Sequence, residues 1–209
     1  MANVGLSKPF YAKYSHDGEG NVSYSDGGSF GKAVNVDISL DSSESVVLRA
    51  DNSDAESASS FTGGTMTLTL DELLLIVASA VMGIEVQESD EPKGQYVVFT
   101  TEDNAPYCGF GIVAKKIIAG KTHWMAIVLY KVQFRAPADS FTTQGKTIEF
   151  GTPQITATIL RDDTDKGRWR AWGMFASEAD AVKYIKKELN ITDPVALSAA
   201  AQKKAVAAK

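Results

Sequence analysis

The chain has 209 residues, with 21 Lys and Arg against 26 Asp and Glu, a formal net charge of −5 and 44% hydrophobic residues. That balance belongs to a globular protein and excludes a wholly disordered one; the length suits one domain, or at most two small ones. A single cysteine, Cys108, excludes an intrachain disulfide, and two histidines far apart in sequence, His16 and His123, leave little for a zinc or copper site. The opening MANVGLSKPFYAKY has neither the basic start nor the apolar run of a signal peptide, and no stretch reaches the ~18 apolar residues of a membrane helix. Synthesis in a reducing cytoplasm, with no membrane association, is the expectation. Charge is uneven along the chain: residues 1–104 sum to −12 and residues 105–209 to +7. Such a split predicts either a basic region for nucleic acid or two surfaces that attract each other, unless the charges are simply scattered over a solvated surface.

The dominant period along the chain is two. From Ala33 to Asp41, Val34, Val36, Ile38 and Leu40 alternate with Asn35, Asp37, Ser39 and Asp41, the pattern of a strand with one buried face. Ser42–Ser60, rich in Ser and Asp, reads as a loop, and its apolar burst Val46-Val47-Leu48 predicts a short strand or hairpin inside it. Thr65 to Leu70 is a second alternating strand, with Met66, Leu68 and Leu70 inward. A helix is expected over Asp71–Met82, opened by acids at the positive end of its dipole, closed by Gly83 and apolar almost all round. Two long strands, Tyr107–Ala119 and Thr122–Arg135, meet at Gly120-Lys121 as a hairpin. On the second, Trp124, Ala126, Val128, Tyr130, Val132 and Phe134 face one way and His123, Met125, Ile127, Leu129, Lys131, Gln133 and Arg135 the other. Its centre is apolar on both faces, which fits a sandwich or barrel core, or a face that meets another subunit.

Ala136–Lys146 and Asp162–Arg170 read as loops on either side of a strand in which Ile155, Ala157 and Ile159 alternate with Gln154, Thr156 and Thr158. Ser177 and Asp180 form a capping box with the shorter acid, ahead of a surface helix that presents Ala181, Tyr184, Ile185 and Leu189 as one stripe. Asp193-Pro194 then starts an Ala/Lys-rich run to Lys209, a helix only if it docks on something. The expected fold is mainly β, an antiparallel β-sandwich or barrel with a flanking α-helix over residues 1–190, a long loop, and a C-terminal extension over residues 191–209.

Short motifs give no catalytic signal. Gly109-Phe110-Gly111-Ile112-Val113-Ala114 matches G-x-G-x-x-A, but a strand pattern follows in place of a helix, and no carboxylate occurs between Asp103 and Asp139 to hold a ribose; its glycines read as points of close approach. Gly120-Lys121-Thr122 resembles the end of a phosphate loop, yet Lys115 stands where the first glycine is needed. Asp162, Asp163, Asp165 and Gly167 lack the alternating acids and distant Glu of a calcium loop and read as a solvated turn. No G-x-S-x-G elbow is present, and Cys108, on the apolar side of its strand with Phe110 and Ile112, reads as an inert hydrophobe. No enzyme and no cofactor is expected.

Several strings taken in order do carry a resemblance: GLSKPFYAKY, the strand–loop–strand ending in FTGGTMTLTLDEL, the hairpin YCGFGIVAKKIIAGKTHWMAIVLYKVQF, then RAPADSFTTQGKTIEFGTP and a closing aromatic strand with its helix. Across most of residues 1–190 the chain resembles the major tail proteins of long, flexible-tailed bacteriophages. The resemblance implies a β-sandwich or barrel with a flanking helix, related to the tube proteins of contractile injection systems. It also implies hexameric rings stacked into a tail tube in the virion, assembled in the bacterial cytoplasm alongside tape-measure and tail-terminator or tail-tip proteins. DNA would pass through the tube without specific binding. A ring needs two different, complementary patches on each subunit, and the charge split offers a source of them. The subunit interface is expected to use Val46, Val47, Leu48, Arg49, Asp51, Asp54 and Glu56 of the Ser42–Ser60 segment, and Lys131, Gln133 and Arg135 of the long hairpin. The alternative is a monomeric β-sandwich module that binds carbohydrate on Trp124, Trp169 and Trp172, against which Trp169-Arg170-Ala171-Trp172 does not keep its two indoles on one strand face.

Overall fold

A computed structural model describes residues 2–42, 46–50, 53–58, 60–137 and 152–192. Most of the expected Ala136–Lys146 loop, Asp51, and the extension from Asp193 onward lie outside the described residues. The chain is mainly β. Seven strands form one antiparallel path in the order β2 (Val22–Ser29), β1 (Ala2–His16), β9 (Tyr107–Ile118), β10 (Lys121–Phe134), β11 (Gln154–Leu160), β6 (Phe61–Leu70) and β3 (Ala33–Ser42), and β12 (Arg170–Phe175) branches off β10. Two separate hairpins, β4 (Val46–Ala50) with β5 (Ser53–Ala58) and β7 (Val86–Asp90) with β8 (Lys93–Val97), complete the strands.

The long sheet curls, so that β1 comes close to β3, and apolar residues fill both of its sides. Inside the curl, Met66, Leu68 and Leu70 of β6, Cys108, Phe110 and Ile112 of β9, Met125, Ile127 and Leu129 of β10, and Ile155, Ala157 and Ile159 of β11 form one core. The expected inward faces of β6, β9 and β11 are therefore the observed ones. Helix α1 (Leu75–Met82) adds Val77, Val81 and Met82 to that core. On the outer face of β1, β9 and β10, helix α2 (Glu178–Glu188) lays Ala181 and Ile185, with Leu189 just beyond it, over Phe10, Ala12, Val113, Ala126 and Val128. The result is a β-sandwich-like fold with a flanking helix.

Four expectations need correction. The hairpin turn is Ala119-Gly120, not Gly120-Lys121: Lys121 pairs with Ile118, and both turn residues have positive φ, 49° and 75°, as a type I′ turn requires. On β3, Val36 and Ile38 pack against the core but Val34 and Leu40 are exposed, because a register irregularity after Ala33 breaks the alternation and Leu40 lies where the strand runs out beyond the core. Helix α1 starts at Leu75, with no acid in its first turn; Leu70 N still donates to Pro153 O and Asp71 N to Lys32 O, so sheet-type bonding holds the chain past Asp71. The helix ends as expected at Gly83, with φ 71°.

The last correction concerns β10. A β-bulge between Leu129 and Val132 shifts the register against β9. Before it, Met125, Ile127 and Leu129 face the inner core; after it, Val132 and Phe134 do, while Trp124, Ala126, Val128 and Tyr130 lie on the α2 side. One extra residue thus reverses the alternation. The outer edge of β10 also changes partner there: Trp124–Leu129 pair with β12 and Lys131–Phe134 with β11.

Candidate assembly surfaces

The expected interface residues fall in two places. Val46, Val47, Leu48 and Arg49 lie on β4, and Asp54 and Glu56 on β5, with Leu48 opposite Glu56 and Arg49 opposite Asp54 in the register. The segment read as a loop with an internal apolar burst is thus largely a hairpin. It falls in the chain between β3 and β6, whose last pair is Ser42 with Phe61, and forms a two-stranded sheet separate from the main one. Among the described residues β4 and β5 pair only with each other. Lys131 and Gln133 lie in the far part of β10 and Arg135 directly follows it, and β11 and β6 separate that strand from β3. The nine of the ten that are described are split between this separate two-stranded sheet and the far end of β10.

Those three residues are already bonded within the chain. Gln133 Nε2 donates to Ala105 O at 2.9 Å and Arg135 Nη2 to Thr158 Oγ1 at 2.9 Å. Lys131 is buried: its Nζ lies 2.5 Å from Asp163 Oδ2 and faces the rings of Tyr14 and Tyr107. Sequence reasoning missed the cluster around it. Tyr14 Oη donates to Asp163 Oδ2 at 2.6 Å and accepts from Asp163 N at 2.8 Å. The neighbouring Asp162 carboxylate, fully buried, accepts from Arg168 Nε at 2.8 Å and from Thr164 Oγ1 at 2.6 Å. Arg168 then sits over Tyr130, whose hydroxyl donates to Glu188 on α2 at 2.9 Å. The Asp162–Arg168 turn is exposed at Asp163, Asp165, Lys166 and Arg168, as a solvated turn should be, but it is also tied to β1 and β10 and, through Tyr130, to α2. Its sequence signal was the run of acids itself, whose partners stand far away in the chain.

The cluster offers structure rather than reactivity. Burial first, and the bond to Asp163 second, raise the Tyr14 phenol above its ordinary value; burial first, and the Glu188 carboxylate second, do the same for Tyr130. Both are held as protonated donors. The Asp163 carboxyl is lowered by its bonds to Lys131 and then Tyr14, the opposite of a raised, proton-holding carboxylic acid. Burial pushes the Cys108 thiol up to about 12, the reverse of an activated nucleophile. Among the described residues no group of three or more His, Cys, Asp and Glu is placed to hold a metal ion, and no helix is long and apolar enough to cross a membrane.

The two glycines of the G-x-G-x-x-A string have a packing role. A β-carbon on Gly109 would stand 2.5 Å from Leu189 Cδ2, and one on Gly111 would collide with Ile185 Cγ2; bare backbone at both points lets α2 lie close on β9. The three indoles are dispersed. Trp169 stacks on Phe61 with ring centroids 4.3 Å apart, Trp124 packs on the α2 side beneath Lys115, and Trp172, on the exposed β12, is 64% exposed. They form no common stacking platform. Beside Trp172, Met174 is also exposed, and among the described residues β12 pairs only with β10 and β3 only with β6, so the sheet presents open edges.

Scans of protein-family models and of curated proteins find none that matches this chain.

Proposed function

We propose that this chain is a structural subunit that assembles with copies of itself into stacked hexameric rings, the tail tube of a long, flexible-tailed bacteriophage, through which DNA leaves the virion. The observation that carries the reading is the β4–β5 hairpin, set in the chain between β3 and β6, whose strands pair only with each other among the described residues. A two-stranded ribbon of this kind has little stability of its own, and a neighbouring subunit would cover it. The open edges at β3 and β12, with Val34, Leu40, Trp172 and Met174 exposed on them, offer further surface for strand pairing between copies. The −12/+7 charge split along the chain offers a source of complementary patches for a heterologous contact. The dispersed indoles argue against the carbohydrate-binding alternative.

On this reading the tape-measure and the tail-terminator or tail-tip proteins are further partners, no cofactor is used, and DNA is conducted rather than bound. Each Lys or Arg contact to phosphate adds salt-dependent affinity, which a conduit has no use for. Negative-stain electron microscopy of the purified protein, with preformed tail tips as nuclei, should show rings or tubes of one diameter. Assembly should weaken as salt screens exposed charges over about 8–10 Å, and duplex DNA should not be retained at physiological salt. Sedimentation that finds only monomer at high concentration with tips present, or tight duplex binding by the dispersed subunit, overturns it.

A further inference from the structure

We propose that the acidic β7–β8 hairpin of one copy docks on the basic turn end of the β9–β10 hairpin of a second copy, head to tail; this rests on the self-assembly reading and names two surfaces for it. The β7–β8 hairpin pairs with no other strand among the described residues. It is rooted by Val97, which packs against the inner core, but beyond that root it is mostly exposed. Tyr96, Val98 and Phe99 are 45%, 48% and 53% exposed, a concentration of large apolar side chains at the foot of one small hairpin. Single exposed apolar residues are ordinary; three within four positions, on an element with two free strand edges, mark a surface made to be covered.

Charge selects the occupant. Residues 84–106 hold Glu85, Glu88, Asp90, Glu91, Glu102 and Asp103 against the one cation Lys93. Asp103 accepts bonds from Thr100, and Glu88 one from Gln95; none of the six is in an ion pair with a described residue. The complementary surface lies on the same chain. Around the Ala119-Gly120 turn stand Lys115, Lys116 and Lys121, in a stretch with no acid from Asn104 to Ala138. Ile117 is 39% exposed between them, and Val4, on the part of β1 paired alongside, is 52% exposed. Lys115 lies over Trp124, while Lys116 and Lys121 have no described ion-pair partner. The acids at the start of α2 are engaged elsewhere, Glu178 by Ser7 and Lys8, Asp180 by Ser177 and Lys183.

The two surfaces are rooted at opposite ends of one hairpin. Gly83, where the acidic segment begins, lies against Asn104 and Pro106: a β-carbon there would be 2.9 Å from Asn104 O. Gln133 holds Ala105 O. The acidic hairpin is thus anchored where β9 begins, and the lysines stand where it ends. Nine residues of strand separate Tyr107 from Lys116, about 30 Å at roughly 3.3 Å per residue. A complementary pair anchored so far apart on one molecule is satisfied by a second copy, and because the two patches differ the contact repeats from copy to copy.

The test uses the full chain, with charge reversal and covalent trapping. K116E/K121E and E88K/D90K change side chains outside both cores, exposed at Lys121, Glu88 and Asp90 and half-buried at Lys116. Each should raise the concentration at which assembly begins by about tenfold or more, as juxtaposed like charges oppose docking. A chain that carries all four changes should return to within about threefold of the parent, since the pairing is restored with its signs exchanged. Independently of ring formation, Y96C protein mixed with I117C protein should give a disulfide-linked pair on mild oxidation, and the pair should vanish when E88K/D90K is added to the Y96C chain. Cys108, buried and with its thiol pushed up, is left in place. Rings from both reversed variants at the parent's concentration would overturn this contact and leave the tail-tube reading standing. A parent that never associates and yields no cross-linked pair removes both. Loss of duplex DNA retention in K116E/K121E with assembly unchanged would make the lysines a nucleic-acid surface and overturn the contact.

Discussion

Replacing Gly111 by alanine tests whether α2 is seated on bare strand backbone. The β-carbon so introduced would collide with Ile185 Cγ2, while Ile185 Cβ lies at 3.4 Å, an ordinary contact distance. The whole conflict is therefore with one methyl group. Gly111 sits in a strand without positive φ, so alanine brings no backbone strain, and the cost is that of overpacking, about 1–3 kcal/mol. I185A alone removes a fully buried side chain and should cost about 2–5 kcal/mol. In the double variant the methyl is gone and the new β-carbon occupies part of the space it leaves. G111A should then cost close to nothing, so the pair falls short of the sum of the singles by at least about 1 kcal/mol. Urea unfolding of the dispersed subunit, followed by tryptophan fluorescence, measures all four corners of the cycle. Additivity within about 0.5 kcal/mol would refute the close seating of α2 on β9.

Acid should loosen the Asp162–Arg168 turn. The Asp163 carboxyl is lowered by Lys131 and Tyr14, so its contribution to stability is complete above the ordinary carboxylate value near 4 and is lost as pH falls through the lower folded value; D163N, compared with the parent by thermal unfolding between pH 3 and 7, should show a flatter decline on the acid side, and an unchanged slope would count against the pinning. Cys108 should not react with a thiol reagent in the native protein at pH 8, since burial has pushed it up to about 12, and should react fully once the chain is unfolded; rapid labelling of the folded chain would contradict the packing described.

Strands with one wet face were legible residue by residue where no register break intervened, unlike β3, whose alternation misplaced Val34 and Leu40. Ile155, Ala157 and Ile159 are separated by Gln154, Thr156 and Thr158, and that contrast gave their inward face correctly. The same contrast is missing from β10, where both faces are apolar through the centre, so no polar residue marks the point at which the bulge reverses the alternation. Helix α1 was overextended for a different reason. Asp71-Glu72 ahead of an apolar run has the composition of a first helical turn, but the bond from Asp71 N to Lys32 O is a long-range event that composition does not carry. The pinned turn was illegible on the same ground: Asp163 is 149 residues from Tyr14 and 32 from Lys131. Of the candidate interface, the apolar burst at Val46-Val47-Leu48 did announce a hairpin, whereas nothing local revealed that Lys131 is engaged within its own chain.

The change of partner along β10 has a mechanical consequence. A strand zipped to one neighbour along its whole length can peel from that neighbour in a single line, one bond after another. The outer side of β10 is shared: β12 holds its first half, β11 its second, and the two arrive from opposite sides of the pinned turn. A tear that starts at either end meets a change of partner at Tyr130–Lys131, where the β9 ladder on the other side is itself offset by the bulge. The sheet has no continuous seam there. A load applied along the long hairpin is divided between two short ladders, and the bulge that upset the side-chain alternation marks the boundary between them.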